Sequence, residues 1–427
     1  MRKFISFLPV FFFALSANAA PLLLKAHGYV DVGQGKLVTP AEILVEDGVI
    51  VSINDDNWPA GVEVVQLGNR ILLPGLMDMH VHLDLDFEDA NFAIVVTESG
   101  SEGALRGAKN AELTLMAGFT TVRNVGQVHP TLDLIDVALA RASEEGWIKA
   151  PRIIPAGHMI SILGGHGDLA MAEGLSEGML ELGPEHGVVS GTDDAIKATR
   201  FQIKHGAKVV KIHATAGVMS LEETVGLQQL SDAEMRAIIE EAQRHQVPVA
   251  AHAHGTDGIK AAIRAGVSSI EHGSILDDEA IRMMIEKNVI LVPTRGLMDL
   301  INFEKLDPRK RAKAEYVNPL ADQSLVAAIN AGVKVAMGTD APLIPHGKNA
   351  YEIVKMTERG MSPLEAIRSA TTVAAELIGM EKLGQIKEGW HADIIAVDSD
   401  PLEDITSLQS VRFVMKAGKV MKNAGGD

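Results

Sequence analysis

The chain has 427 residues and no cysteine. Disulfides and a lipid-anchored N-terminal cysteine are therefore excluded, so stability has to come from a buried core and from bound groups. Positive charge is scarce too. Lysine and arginine number 39 against 56 aspartates and glutamates, a net charge of −17. Such a surface argues against nucleic acid or an anionic membrane as the main partner. Long apolar runs are missing after residue 19. No later stretch reaches the roughly 18 uninterrupted apolar residues that a membrane-spanning helix needs. There is no solenoid repeat and no low-complexity tract.

What is present begins with "MRKFISFLPVFFFALSANAA". Arg2 and Lys3 form a positive start, Phe4 to Leu15 is mostly apolar, and Ala17-Asn18-Ala19 has the small-residue pattern of a cleavage site. Residues 1–19 read as a signal peptide, with the mature protein expected in the periplasm or secreted.

Residues 20–73 contain short β-like runs broken by glycines, and residues 384–427 resemble them. Two β-rich ends around an α/β middle are most simply one composite domain, expected as a small β-sandwich. The middle, residues 74–383, alternates apolar runs with helix-length segments. Its strand candidates are "LPGLMDMHVH", "FTTVRNVG", "PRIIPAG", "KVVKIHAT", "VPVAAHAH", "SSIEHG", "NVILVPT" and "KVAMGTD". "SDAEMRAIIEEAQRH" is a helix pattern, with Ser231 or Asp232 as its cap. Repeated strand–helix alternation predicts an α/β fold of the (β/α)8 TIM-barrel type, in which the C-terminal strand ends carry the active site.

Those ends carry chemistry. In "GLMDMHVHLD", His80 and His82 are two residues apart and face one side of a strand. Read alone, such a pair is as compatible with a polar strand end as with a metal site. Further strand ends add Lys211, His252, His272 and Asp340. A closed barrel would bring all six to one mouth. Neutral imidazoles and a carboxylate suit a borderline ion such as zinc. A lysine ammonium would repel a cation, but an amine carboxylated by carbon dioxide becomes an anion able to bridge two ions. His254 lies on the same side as His252 and competes with it as a ligand. His213, His158 and His205 read as structural or supporting residues. Gly164, Gly165 and Gly167 surround His166 in a loop that permits close approach to a ligand.

This pattern resembles the amidohydrolase superfamily across essentially the whole mature chain, including the closing "GWHADIIAVD" at Gly389–Asp398. The resemblance implies two divalent ions, zinc being the expected metal. His80 and His82 would hold the more buried ion, His252 and His272 the other. Carboxylated Lys211 (N6-carboxylysine) would bridge them, and Asp340 would bind the first ion and move the proton. His254 then falls to the substrate. Deaminases of the superfamily carry a glutamate three residues after the strand-five histidine, where this chain has Gly255. "KIHATAGVMS", "GGHGD" and "IEHGSILDDEAI" resemble the subgroup that cleaves Xaa-Pro, Xaa-Arg or Xaa-Lys dipeptides and related N-acyl amino acids, some members splitting the amide of ochratoxin A. A metal-bridging hydroxide would be the nucleophile, and His166 would stabilise the developing oxyanion. Arg295 and residues of "GVMSLEETVGLQQLS" would hold the substrate carboxylate. Leu230 stands where relatives carry an aromatic residue, so a more apolar pocket is expected. A cyclic-amide hydrolase and a non-catalytic binding protein on the same barrel are the alternatives. A small-molecule or dipeptide partner is implied, and a homo-oligomer is compatible with the sequence.

Overall fold

Strand residues Leu76–Val81 and Phe119–Asn124 are buried at every position. Such strands fit only a parallel sheet covered on both faces. The computed structural model describes residues 20–86, 97–169, 180–220, 222–301, 304 and 306–425. The expected signal peptide, residues 1–19, lies outside them. Among the described residues no helix is long and apolar enough to cross a membrane.

Leu76–Val81, Phe119–Asn124 and Arg152–Pro155 form one parallel arc. Val210–His213, Val249–Ala253, Ser269–His272 and Ile290–Val292 form another. A parallel bridge from Ile160 to Ile212 joins the arcs, and one from Gln127 to His158 extends the first. The eighth stave is not a regular strand. Residues 335–341 close the ring through bridges from Val335 to Leu291 and from Ala341 to Val81. Within it, Met337 O accepts from Met79 N at 2.9 Å and Asp340 N donates to His80 O at 2.8 Å. Buried Asp78 reinforces this seam, accepting from Thr339 Oγ1 at 2.7 Å and from Asn349 Nδ2 at 2.8 Å.

Helices cover the outside, and several start at a side-chain cap. Ser231 caps Asp232–Arg244, and Glu234 returns the hydrogen bond in a capping box. Leu230 just before the cap and Met235 inside the helix are fully buried in the main core, in the positions of a hydrophobic staple.

Both chain ends build one eight-stranded sheet. Ile394–Val397 pairs antiparallel with Glu63–Pro74, which pairs parallel with Leu22–Asp31. The far strand, Val49–Ile53, meets the segment entering Ile394–Val397, with Ile50 N donating to Trp390 O at 2.9 Å. The sheet thus curls back on itself. It encloses a core of Leu24, Ile43, Ile50, Leu72, Ile394 and Phe413. The composite domain expected from the two chain ends is built as one continuous sheet folded over this core.

Candidate active site

The C-terminal strand ends converge. Asp340 Oδ1 lies 3.4 Å from His80 Nε2 and 3.5 Å from His82 Nε2. Lys211 Nζ is 3.5 Å from the same His80 nitrogen. The His80 and His272 rings are 5.1 Å apart, and those of His252 and His272 4.6 Å. All six residues singled out as ligands therefore share one cluster.

Partners behind the rings set their orientation. His80 Nδ1 donates to Glu271 Oε2 at 2.8 Å, and His82 Nδ1 donates to Gly126 O at 2.8 Å. Each thereby presents the lone pair of Nε2 to the site. His272 Nδ1 meets Thr294 Oγ1 at 2.7 Å, and His254 Nδ1 meets Ser274 Oγ at 2.8 Å. His272, Thr294 and Asp340 have φ of 69°, 48° and 57°. Left-handed backbone at three non-glycine residues stores strain where the strands end.

Glu271 is the centre of a charged core inside the barrel. Burial alone would raise its pKa, but the Arg123 guanidinium and His80 bring it down to about 2. Arg123 Nη2 donates to Glu271 Oε1 at 2.8 Å, and Arg123 Nε donates to Met79 O at 2.7 Å. Glu271 was invisible to strand-end reading, because its partners come from the opposite side of the barrel. Removing Arg123 would leave that carboxylate buried and unpaired. Arg123→Met is expected to cost about 3–5 kcal/mol of stability. A urea midpoint lowered so that its shift times the unchanged slope equals that amount would verify it, and an unshifted midpoint would refute it.

Burial pushes the Lys211 ammonium down to about 8. Among the described residues no carboxylate pairs with it; its recorded contact is His80. Burial also keeps His252 and His272 well below the usual imidazole range, hence neutral and able to donate electron pairs. Burial would raise Asp340, yet contact with His80 and His82 holds it well below the usual carboxylate range.

His166 joins this cluster. Its ring stacks on His252 at 4.4 Å and meets His213 edge-on at 5.0 Å. His213, read from sequence as supporting, lies against both. Two glycines make room. A Cβ at Gly167 would lie 2.4 Å from His213 Nδ1, and one at Gly217 2.3 Å from the His166 ring. Ligand atoms come within 4.8 Å of one another in three groups: His80–His272–Asp340, His252–His254–His272 and His166–His213–His252. His252 and His254 both remain within reach.

Two sequence expectations meet other partners. Leu230 belongs to the main core, for the capping reason given above, and not to the imidazole cluster. The Arg295 guanidinium donates to Asp322 Oδ1 at 3.0 Å and to Asn318 O at 3.2 Å. It is engaged by the helix Pro308–Ala331. His158 contacts Gln127 and Thr131 O, and His205 packs on Phe201, both away from the cluster. A side chain at Gly255 would lie 2.1 Å from Gly226 O, so the glutamate of deaminases has no room here.

A parallel barrel with imidazoles, a carboxylate and a buried lysine at its strand ends is the architecture of a metal-dependent hydrolase. The chain belongs to the amidohydrolase family, whose model matches residues 71–421. It is 34% identical to the ochratoxinase of Aspergillus niger, over 96% of this chain and 88% of that protein. A crystal structure of a Xaa-Pro dipeptidase with methionine bound in the active site superposes with a TM-score of 0.88. It shares 34% identity and covers 95% of this chain and 100% of that one. A prolidase complexed with N-methylphosphonate-L-proline superposes at 0.85 with 30% identity, over 95% of this chain and 100% of that one. The protein is an enzyme that hydrolyses amide or peptide bonds.

Proposed function

We propose that this enzyme uses two divalent ions to hydrolyse the amide bond of dipeptides or N-acyl amino acids that carry a free C-terminal carboxylate. The observation that carries the reading is the convergence of His80, His82, Lys211, His252, His272 and Asp340 in one cluster. The donor set fits such ions. His252 Nε2 is buried with no partner among the described residues, and a bound group is an ordinary reason for such an atom. The relatives add support: a prolidase with a proline phosphonate, and an ochratoxinase.

His80, His82 and Asp340 would hold one ion, and His252 and His272 the other. Lys211 would bridge them as a carbamate. Its lowered proton affinity leaves amine free to add carbon dioxide, with the N–H proton released. When bound, the ions would supply a hydroxide from a shared water near neutral pH and polarise the scissile carbonyl. Asp340 accepts a proton and returns it to the leaving amine. His166 is kept neutral at pH 7, since burial takes it down to about 4. Its backbone is anchored by Gln229 Oε1 at 3.0 Å. A neutral imidazole with one N–H can donate to the oxyanion without adding charge. His254, packed against His252 and His272, would contact the substrate.

Protein purified without chelator is expected to hold about two divalent ions per chain and to cleave members of a dipeptide and N-acyl amino acid panel. Elemental analysis that finds no metal would reject the binuclear reading. A panel in which only cyclic amides open would redirect the substrate class.

A further inference from the structure

Arg295, the cation expected for the substrate carboxylate, is already paired with Asp322 and Asn318. The helix Pro308–Ala331 supplies another. Lys313 is 4% exposed, and its Nζ donates to Ser220 O at 2.7 Å and to Gly217 O at 3.1 Å. An ammonium has three donors, and two carbonyls take two of them. Among the described residues no carboxylate forms an ion pair with Lys313. Glu222, the acid nearest in charge, is tied to Gln229 Nε2 at 2.5 Å. Glu222 offsets the Lys313 charge from beyond ion-pair distance, with its Oε2 buried and unpartnered among the described residues, so a closer anion would find the ammonium's third donor open.

Its position is beside the reacting groups. Gly217 accepts from Lys313, and the same residue lies against the His166 ring, where an added Cβ would come within 2.3 Å. After burial, the Lys313 charge is among the influences that lower His166, and it acts on His254 after the larger influence of Arg295. The helix start also carries Arg309, Lys310 and Arg311. Arg309 pairs with Asp307 and Arg311 with Glu315, so the buried Lys313 is the member of this basic run that faces inward.

We infer that Lys313 forms the carboxylate subsite, its third N–H receiving the C-terminal carboxylate of the substrate. The inference rests on the proposed amide-hydrolase function. It makes Lys313, from a helix after the seventh strand, the residue that selects free acids over amides.

The test compares a dipeptide with its C-terminal amide. Wild type is expected to favour the free acid. Lys313→Gln should raise KM for the acid about tenfold to a hundredfold, the worth of a charge-assisted hydrogen bond. It should leave kcat within a fewfold and erase the preference, and Lys313→Arg should restore much of it. A wild type indifferent between acid and amide overturns both the free-carboxylate reading and this subsite. A wild type that prefers the acid, with a Lys313→Gln variant that still does, overturns the subsite alone. The wild-type enzyme crystallised with a product amino acid gives a check that needs no variant. The product carboxylate should lie within hydrogen-bond distance of Lys313 Nζ, and a carboxylate held elsewhere overturns the inference.

Discussion

Lys211→Arg is expected to lose at least one ion and about a thousandfold or more in kcat/KM, a loss of about 4 kcal/mol in transition-state stabilisation. The lysine is 1% exposed, inside the fourth barrel strand. A unit positive charge about 4 Å from another is repelled by about 4 kcal/mol even at an effective dielectric of 20, and a divalent ion feels more. A carbamate reverses the sign and offers two oxygens. Guanidinium stays cationic and cannot form that carbamate. Lys211→Ala should be as inactive, but short carboxylic acids added to it should restore part of the activity by filling the bridge. Arginine does not leave such a space. Metal content and turnover, measured together on both variants, decide the matter. A Lys211→Arg enzyme with two ions and normal turnover would remove the bridge from strand four.

The second large effect falls on Asp340. Asp340→Asn keeps an oxygen donor and the side-chain volume but cannot take a proton. Turnover should drop by about 10²–10⁴, the usual worth of a positioned acid–base group. The pH profile gives the sharper readout. A base works only when deprotonated, so activity is lost as pH falls through its pKa. Burial would raise that pKa, but His80 and His82 hold it well below the carboxylate range. The wild-type limb controlled by Asp340 therefore lies far on the acid side. It should vanish in Asp340→Asn. Should the variant keep both turnover and limb, the proton carrier is another residue.

The barrel was legible because its strands are apolar runs that stop at a polar residue or glycine, with amphipathic helices between them. The convergence of His80, His82, Lys211, His252, His272 and Asp340 was legible for the same reason, since each lies at the end of such a run. The eighth stave was visible as "KVAMGTD", but its irregular pairing was not, because Asp340 reaches its place through a left-handed turn. Residues that act across the ring left no local sign. Glu271 sits next to His272 in "SSIEHG", yet its meaning depends on Arg123 and His80 from other strands. Lys313 belongs to a helix rich in basic residues, indistinguishable in sequence from a solvated face. Leu230 misled because its apolar character serves the start of a helix. The partners of Arg295 could not be foreseen, because the helix that engages it follows in the chain and nothing in the strand-end pattern announces that contact.

The curled sheet has a consequence for how the molecule is made. A ribosome delivers Leu22–Asp31 and Glu63–Pro74 first, and Ile394–Val397 about three hundred residues later. Until then the edge of Glu63–Pro74 that will bind Ile394–Val397 is an open row of peptide groups able to recruit any passing strand. Pairings of such long separation are slow to form. The completed state therefore depends on strands synthesised long after their partners, although the first barrel strand follows Glu63–Pro74 almost at once. A chain stopped short of residue 394 would possess every group in the reactive cluster and still lack the strand that closes the sheet ahead of it. Quality control of nascent chains would meet it as an unfinished protein with a sticky edge.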